Sequence, residues 1–199
     1  MARKFIKATP HGQSGVLYET EDGEKILRTG GTWTWRNNNP GNVVQGSISK
    51  KNNQMGKAGG FTVFPDYENG HKALLDCLKD TYGNSSLDGL IKGYAPDHEN
   101  DTARYLRFLR SKTGVSDDKK VKDFSPGEFE KLWKAIEQME GWKEGKTAEL
   151  KDNKKTAKNT KSNPCGPGQH WVSPHDRVHA SGTVARVSGH CRDNPDRRA

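Results

Sequence analysis

The stretch Ser125-Pro126-Gly127-Glu128-Phe129-Glu130-Lys131-Leu132-Trp133-Lys134-Ala135-Ile136-Glu137-Gln138-Met139-Glu140-Gly141 is the most completely signalled helix in this 199-residue chain. Ser125 is placed to cap the first turn. Pro126 takes the first helical position, where no amide donor is needed, and Glu128 two residues later completes a capping box. Phe129, Leu132, Trp133 and Ile136 then recur at helical spacing, and Gly141 supplies the stop. Glu140 follows Phe129 by eleven residues, close to three turns at about 3.6 residues each, so it falls on the same apolar face. A carboxyl is therefore aimed toward the core. The alternative, at a helix end that frays, is a residue that turns to solvent or pairs with a lysine.

Three more helices precede this one. Asp66 caps a helix that runs through Gly70 to Lys79 with Ala73, Leu74, Cys77 and Leu78 on one face. A short helix covers Leu87 to Lys92. Asn100 or Asp101 caps a third, with Tyr105, Leu106 and Leu109 as its apolar stripe and Gly114 at its end. Nearer the N-terminus, Val16-Leu17-Tyr18 and Ile26-Leu27 are strand-like runs joined at Asp22-Gly23, which predicts a β-hairpin. Residues 29–60 are rich in Gly and Asn and predict an ordered loop region. The expected fold class is thus mainly α (α+β): a helical domain with a small β-hairpin and a poorly structured C-terminal tail. The expected divisions are an N-terminal arm (1–14), the domain (15–145), a Lys-rich linker (146–162) and a His- and Cys-containing tail or small stapled module (163–199).

Composition is consistent with uneven packing. Hydrophobic residues make up 30%, charged residues 29%, and mean hydropathy is -1.02, too polar for equal packing along the whole length. The net charge of +8 and pI near 9.3 favour an anionic partner: nucleic acid, a membrane surface or a bacterial wall. No stretch has the roughly 18 apolar residues of a membrane span, and Met1-Ala2-Arg3-Lys4-Phe5-Ile6-Lys7 lacks the apolar core of a secretory signal. Cys77 sits in an apolar helical stretch and reads as a buried thiol. Cys165 and Cys191 bracket the C-terminal segment, where an oxidising compartment would allow a disulfide. His170, His175, His179 and His190 lie among them without the close-pair spacing of a zinc site, so no metal and no cofactor are expected.

The Trp33-Thr34-Trp35-Arg36-Asn37-Asn38-Asn39-Pro40-Gly41-Asn42 run concentrates rings and amides. Sugars need this mixture, rings for their apolar faces and amides for hydroxyl and N-acetyl groups. The competing reading has the Asn side chains satisfying the loop's own backbone while the Trp rings fill the core. Tyr94-Ala95-Pro96-Asp97-His98-Glu99-Asn100-Asp101 offers an aromatic ring and further carboxylates on a loop, with helix capping as the alternative for Asp101. Cleavage of a glycosidic bond requires a carboxylic acid kept protonated by an apolar setting. Glu140 is the carboxyl whose spacing meets that condition.

Taken with Gly59-Gly60-Phe61-Thr62-Val63-Phe64-Pro65, Tyr94-Ala95-Pro96, Glu99-Asn100-Asp101-Thr102 and Glu140-Gly141-Trp142, the Trp33 run resembles the lysozyme-like peptidoglycan hydrolase domains of phage structural proteins and type VI secretion toxins. The resemblance spans roughly residues 15–145. The chain is also distantly similar to flagellar-type glucosaminidases, although their Glu-Ser-Gly-Trp acid motif does not stand before the Asn run here. Phage lysozymes place a Glu-Gly at a helix end and follow it with a Tyr-containing hairpin. Glu140-Gly141 and Tyr18-Glu19-Thr20 reproduce this in circularly permuted order.

This resemblance implies a lysozyme-like fold and a muramidase or related glycosidase. Glu140 is the implied general acid and Glu19 the second carboxylate, with Trp33, Trp35, Arg36, Asn37, Asn38, Asn39, Tyr94, Glu99 and Asp101 as substrate-binding residues. It implies an antibacterial effector or phage-type wall-degrading protein, made in the cytoplasm without a signal peptide and acting in the target periplasm or cell wall. The implied partners are peptidoglycan glycan strands, a cognate immunity protein, and a secretion machine or virion. A non-catalytic wall-binding or baseplate module is the second reading. Nucleic-acid binding through the basic linker ranks below both.

Overall fold

The computed structural model describes residues 4–96, 101–150, 169–172, 175–178, 184–188 and 190–193. The chain divides into two compact units, residues 1–152 and 153–199.

The first unit begins with β1 (Phe5–His11), β2 (Gly15–Thr20) and β3 (Lys25–Thr29). The β2–β3 hairpin turns through Glu21, Asp22 and Gly23: the Thr20 amide donates to the Glu24 carbonyl, and Gly23 takes a φ of 79°. This is a three-residue loop with glycine at its left-handed position rather than a two-residue turn. Strand alternation puts Val16 and Tyr18 on the inner face opposite Arg28 and Ile26, and β1 adds Ala8 opposite Tyr18. Short helices α1 (Trp33–Arg36) and α2 (Ser47–Lys51) follow, then a small hairpin of β4 (Gly56–Ala58) and β5 (Phe61–Val63) that closes over the inner face.

Helices α3 (Tyr67–Asp76), α4 (Leu87–Tyr94), α5 (Thr102–Thr113) and α6 (Pro126–Glu140) build a second core. Its centre holds Leu74, Leu78, Leu90, Ile91, Leu109, Leu132 and Ile136, all with no exposed surface. Each contributes about 1.5–3 kcal/mol by leaving water. The caps act as their residue types dictate: Asp66 accepts from the Asn69 amide, Asp101 from Arg104, and Ser125 and Glu128 form a reciprocal capping box. The first of these helices does not end cleanly but widens into a π-helical turn over Cys77–Thr81.

Beyond α6, β6 (Lys146–Leu150) returns to pair antiparallel with β3, giving one four-stranded sheet in the order β1-β2-β3-β6. The expectation of a mainly helical domain with a small hairpin is therefore corrected. Among the described residues, six α-helices stand beside a four-stranded antiparallel sheet, a mixed α+β architecture. The 1–14 arm carries β1, and the first residues of the 146–162 linker carry β6. Both are edge strands, and β6 is exposed along its whole length, so neither has an apolar pattern to announce it.

In the second unit, β7 (Gln169–Val172) pairs with β10 (His190–Asp193) and β8 (His175–Val178) with β9 (Val184–Val187), both antiparallel. Four strands thus stand where a poorly structured tail was expected. Cys191 is disulfide-bonded and Cys77 is free, whereas Cys165 lies outside the described residues. Among the described residues, no helix is long and apolar enough to cross a membrane, and no group of three or more His, Cys, Asp or Glu is arranged to hold a metal ion.

Candidate active site

The Trp33–Asn42 run lies between the two cores and is consumed largely by the fold. Thr34, Trp35, Arg36, Asn37, Asn38 and Asn39 are all buried. The Asn37 amide donates to Ala58 O at 3.0 Å. Asn38 donates to Phe64 O at 3.1 Å and Pro65 O at 3.0 Å, and Asn39 to Val43 O and Thr62 O at 2.9 Å each. Asn38 and Asn42 also hold left-handed backbone, φ 51° and 47°, which Asn tolerates better than other side chains.

Two arginines complete the lattice. Arg28 donates to Trp35 O at 2.9 Å and Asn38 Oδ1 at 2.7 Å, while Arg36 donates to Gly30 O and Gly31 O and covers the Trp33 ring. Tyr18 reaches across from the sheet and donates to Arg36 O at 2.5 Å. The assignment of Trp35, Arg36, Asn37, Asn38 and Asn39 to substrate binding is therefore corrected. Burial removes these side chains from any ligand, and their amides answer backbone groups that would otherwise go unpaired. Trp33, packed under Arg36 and against Gly59, is only partly accessible.

The ends of the run nonetheless build a site. At its start, the Thr34 hydroxyl donates to Gly141 O, the Thr32 amide donates to Lys143 O at 2.9 Å, and the Lys143 amide returns to Thr32 Oγ1 at 3.1 Å. These bonds clamp the chain just beyond Glu140, the last residue of α6. At the other end, Asn42 Nδ2 donates to Glu140 Oε2 at 2.8 Å, and the Tyr105 hydroxyl from α5 donates to Oε1 at 2.9 Å. Burial raises the Glu140 pKa, while the Asn42 and Tyr105 donors lower it; burial is the largest effect and the net shift is upward. Tyr105 is itself pushed far up by burial and by the carboxylate beside it, so it stays a phenol donor.

The Asn42 Oδ1 atom is buried and has no partner. The amide therefore has two useful orientations: Nδ2 toward an ionised Glu140, or, after a flip, Oδ1 accepting the proton of the neutral acid. Asn42 and Tyr105 were not among the expected site residues. The first is hidden at the end of an Asn-rich run, and the second reads as one more ring in an apolar stripe.

Glu140 forms part of the wall of a cleft of about 540 Å³ whose other walls come from Gly41–Ile48, Phe61, Cys77 and Thr81 of the π-helical turn, Tyr82 and Gly93–Pro96. Tyr94 lines this cleft and donates to Gly41 O. On its other side Glu140 lines a second cavity of about 220 Å³ with Asp101, Arg104, Tyr105 and Met139. Glu99 lies outside the described residues. Glu19 is not brought to the site: it alternates with inward-facing Tyr18, pairs in register with Lys7 and Lys25, and so lies on the outer face of the sheet. The Glu140–Glu19 pairing is corrected accordingly.

No family model matches the chain, and no solved structure matches it significantly. It is similar to Protein P5 of Pseudoalteromonas phage PM2, at 33% identity over 95 residues that cover 44% of this chain. The match spans 59% of that curated relative's length.

Proposed function

We propose that this chain cleaves the glycan strands of bacterial peptidoglycan, with Glu140 as general acid. One observation carries the reading: a carboxyl that burial keeps toward its neutral form, held by two side-chain donors, lines the walls of two cavities. A sugar chain lying across both cavities would present a glycosidic oxygen to that carboxyl, and an acid of raised pKa is what leaving-group protonation needs near neutral pH. Tyr94 and the Gly41–Ile48 segment would contact sugar on one side. On the other side, Asp101 replaces Glu19 as the candidate second carboxylate. The likeness to a phage protein supports a wall-degrading virion component over a secreted effector with a cognate immunity protein.

The direct test is digestion of purified sacculi by the full chain, with mass spectrometry of the products. Soluble saccharides with new reducing or anhydro ends are expected, and the type of end separates hydrolysis from lytic transglycosylation. Sacculi that stay intact while binding the protein would favour the non-catalytic wall-binding reading.

A second expectation concerns pH. Tyr105 and Asn42 donate to the ionised carboxylate, so removing either donor raises the Glu140 pKa. A general acid works only while protonated, and the alkaline limb of the rate profile follows its pKa. Tyr105→Phe, and Asn42→Gly, which tolerates the positive φ, should each move that limb to higher pH. An unmoved limb in both variants would show that another group sets it.

A further inference from the structure

Three cavities follow one another through shared wall residues, the last two of them along the seam between α5 and α6. The large cleft and the 220 Å³ cavity share Glu140. The latter shares Arg104 and Met139 with a third cavity of about 520 Å³ that extends to Arg107, Phe108 and Ser111. At this far end Arg104 and Arg107 sit one turn apart on α5, both exposed. Among the described residues neither side chain has an ion-pair or hydrogen-bond partner, whereas Arg110 on the next turn is paired with Asp117 at 2.7 Å. Like charges at this spacing repel, a cost that an anion between them removes. Asp101 at the near end already spends one carboxylate oxygen on the Arg104 amide.

We propose that the Arg104–Arg107 end of the groove is an anion subsite that receives carboxylates of the peptide stems borne by the glycan strand. This rests on the glycan-cleaving reading, because a strand seated across Glu140 would carry its branches along the same seam. Guanidinium is suited to this partner through its paired donors.

The test is co-sedimentation of the full chain with sacculi, in a Glu140→Gln background so that binding is read without cleavage. Sacculi are used untreated, or after their carboxylates have been converted to neutral methylamides. Amidation should weaken binding about fivefold, the effect of two exposed charge pairs. Adding Arg104→Ala and Arg107→Ala should weaken binding to untreated sacculi by the same factor and abolish the sensitivity to amidation. A Lys120→Ala, Lys122→Ala pair removes equal charge elsewhere and should leave the sensitivity intact.

Equal sensitivity in the arginine variant, loss of sensitivity in the lysine control, or indifference of the Glu140→Gln parent to amidation would each overturn the subsite. Failure of the wild-type chain to cut sacculi would count against the parent reading alone, since binding is scored separately.

Discussion

Glu140→Gln should lower the rate of glycan cleavage by about a thousandfold, the usual scale for loss of a general acid, while making the protein more stable at pH 7. The two effects share one cause. Burial raises the Glu140 pKa in the folded state, so folding favours the protonated carboxyl. Its stabilising contribution is complete below the unfolded pKa of about 4.3 and is lost as pH rises through the higher folded value. At neutral pH the wild-type protein therefore pays to keep an ionisable group in that place, and Gln does not. Asn42 can flip to accept from the new amide through its unpartnered Oδ1, while Tyr105 still donates to the Gln oxygen. Melting curves should place the variant above wild type at pH 7 and merge the two below about pH 4. A variant that retains full wall-lysing activity would rule out Glu140 as the acid. A variant less stable than wild type at pH 7 would mean that hydrogen bonding, rather than burial, dominates there.

Gly70→Ala should cost about 3 kcal/mol or more, at the upper end for an overpacked site, and should weaken the active site along with the fold. A Cβ at Gly70 would fall on the Asn38 carbonyl oxygen and within 3.1 Å of Asn39 Cα. Both obstacles are backbone, in the segment that Arg28, Phe64, Pro65, Thr62 and Val43 hold from several directions. Relief requires α3 and residues 38 and 39 to move apart, and the share of that movement taken by the Asn segment draws Asn42 off Glu140. Gly127 is the matched control: it also lies in a helix, but its added Cβ would meet nothing within 4 Å, so Gly127→Ala should be close to neutral. Urea unfolding of the two variants measures the contrast, and similar midpoints would refute the proposed clash.

The four long helices were legible because each carries a side-chain cap, an apolar stripe or a terminal glycine, and Glu140 was legible because helical spacing fixed its face. What was misread follows from two kinds of ambiguity. An amide that serves a sugar and an amide that serves a buried carbonyl have the same composition, so Asn37, Asn38 and Asn39 looked like ligands until their partners Ala58, Phe64, Pro65, Val43 and Thr62 were seen. An edge strand needs backbone pairing but little apolar surface, so Lys146–Leu150 reads as a charged linker although its register with Lys25–Thr29 is unbroken. Glu19 failed for a simpler reason. In a strand every second residue faces away, and its neighbour Tyr18 already occupies the inner side.

The pairing of β6 with β3 also bears on how the chain is made. A strand begun at residue 25 waits for one begun at residue 146, so the sheet cannot be completed during synthesis until nearly the whole first unit has left the ribosome. Until then β3 offers an open edge, the kind of surface on which chains associate wrongly. A fragment cut at Gly145 would keep every residue proposed for catalysis and leave that edge permanently bare, so a soluble and active fragment should extend through Leu150.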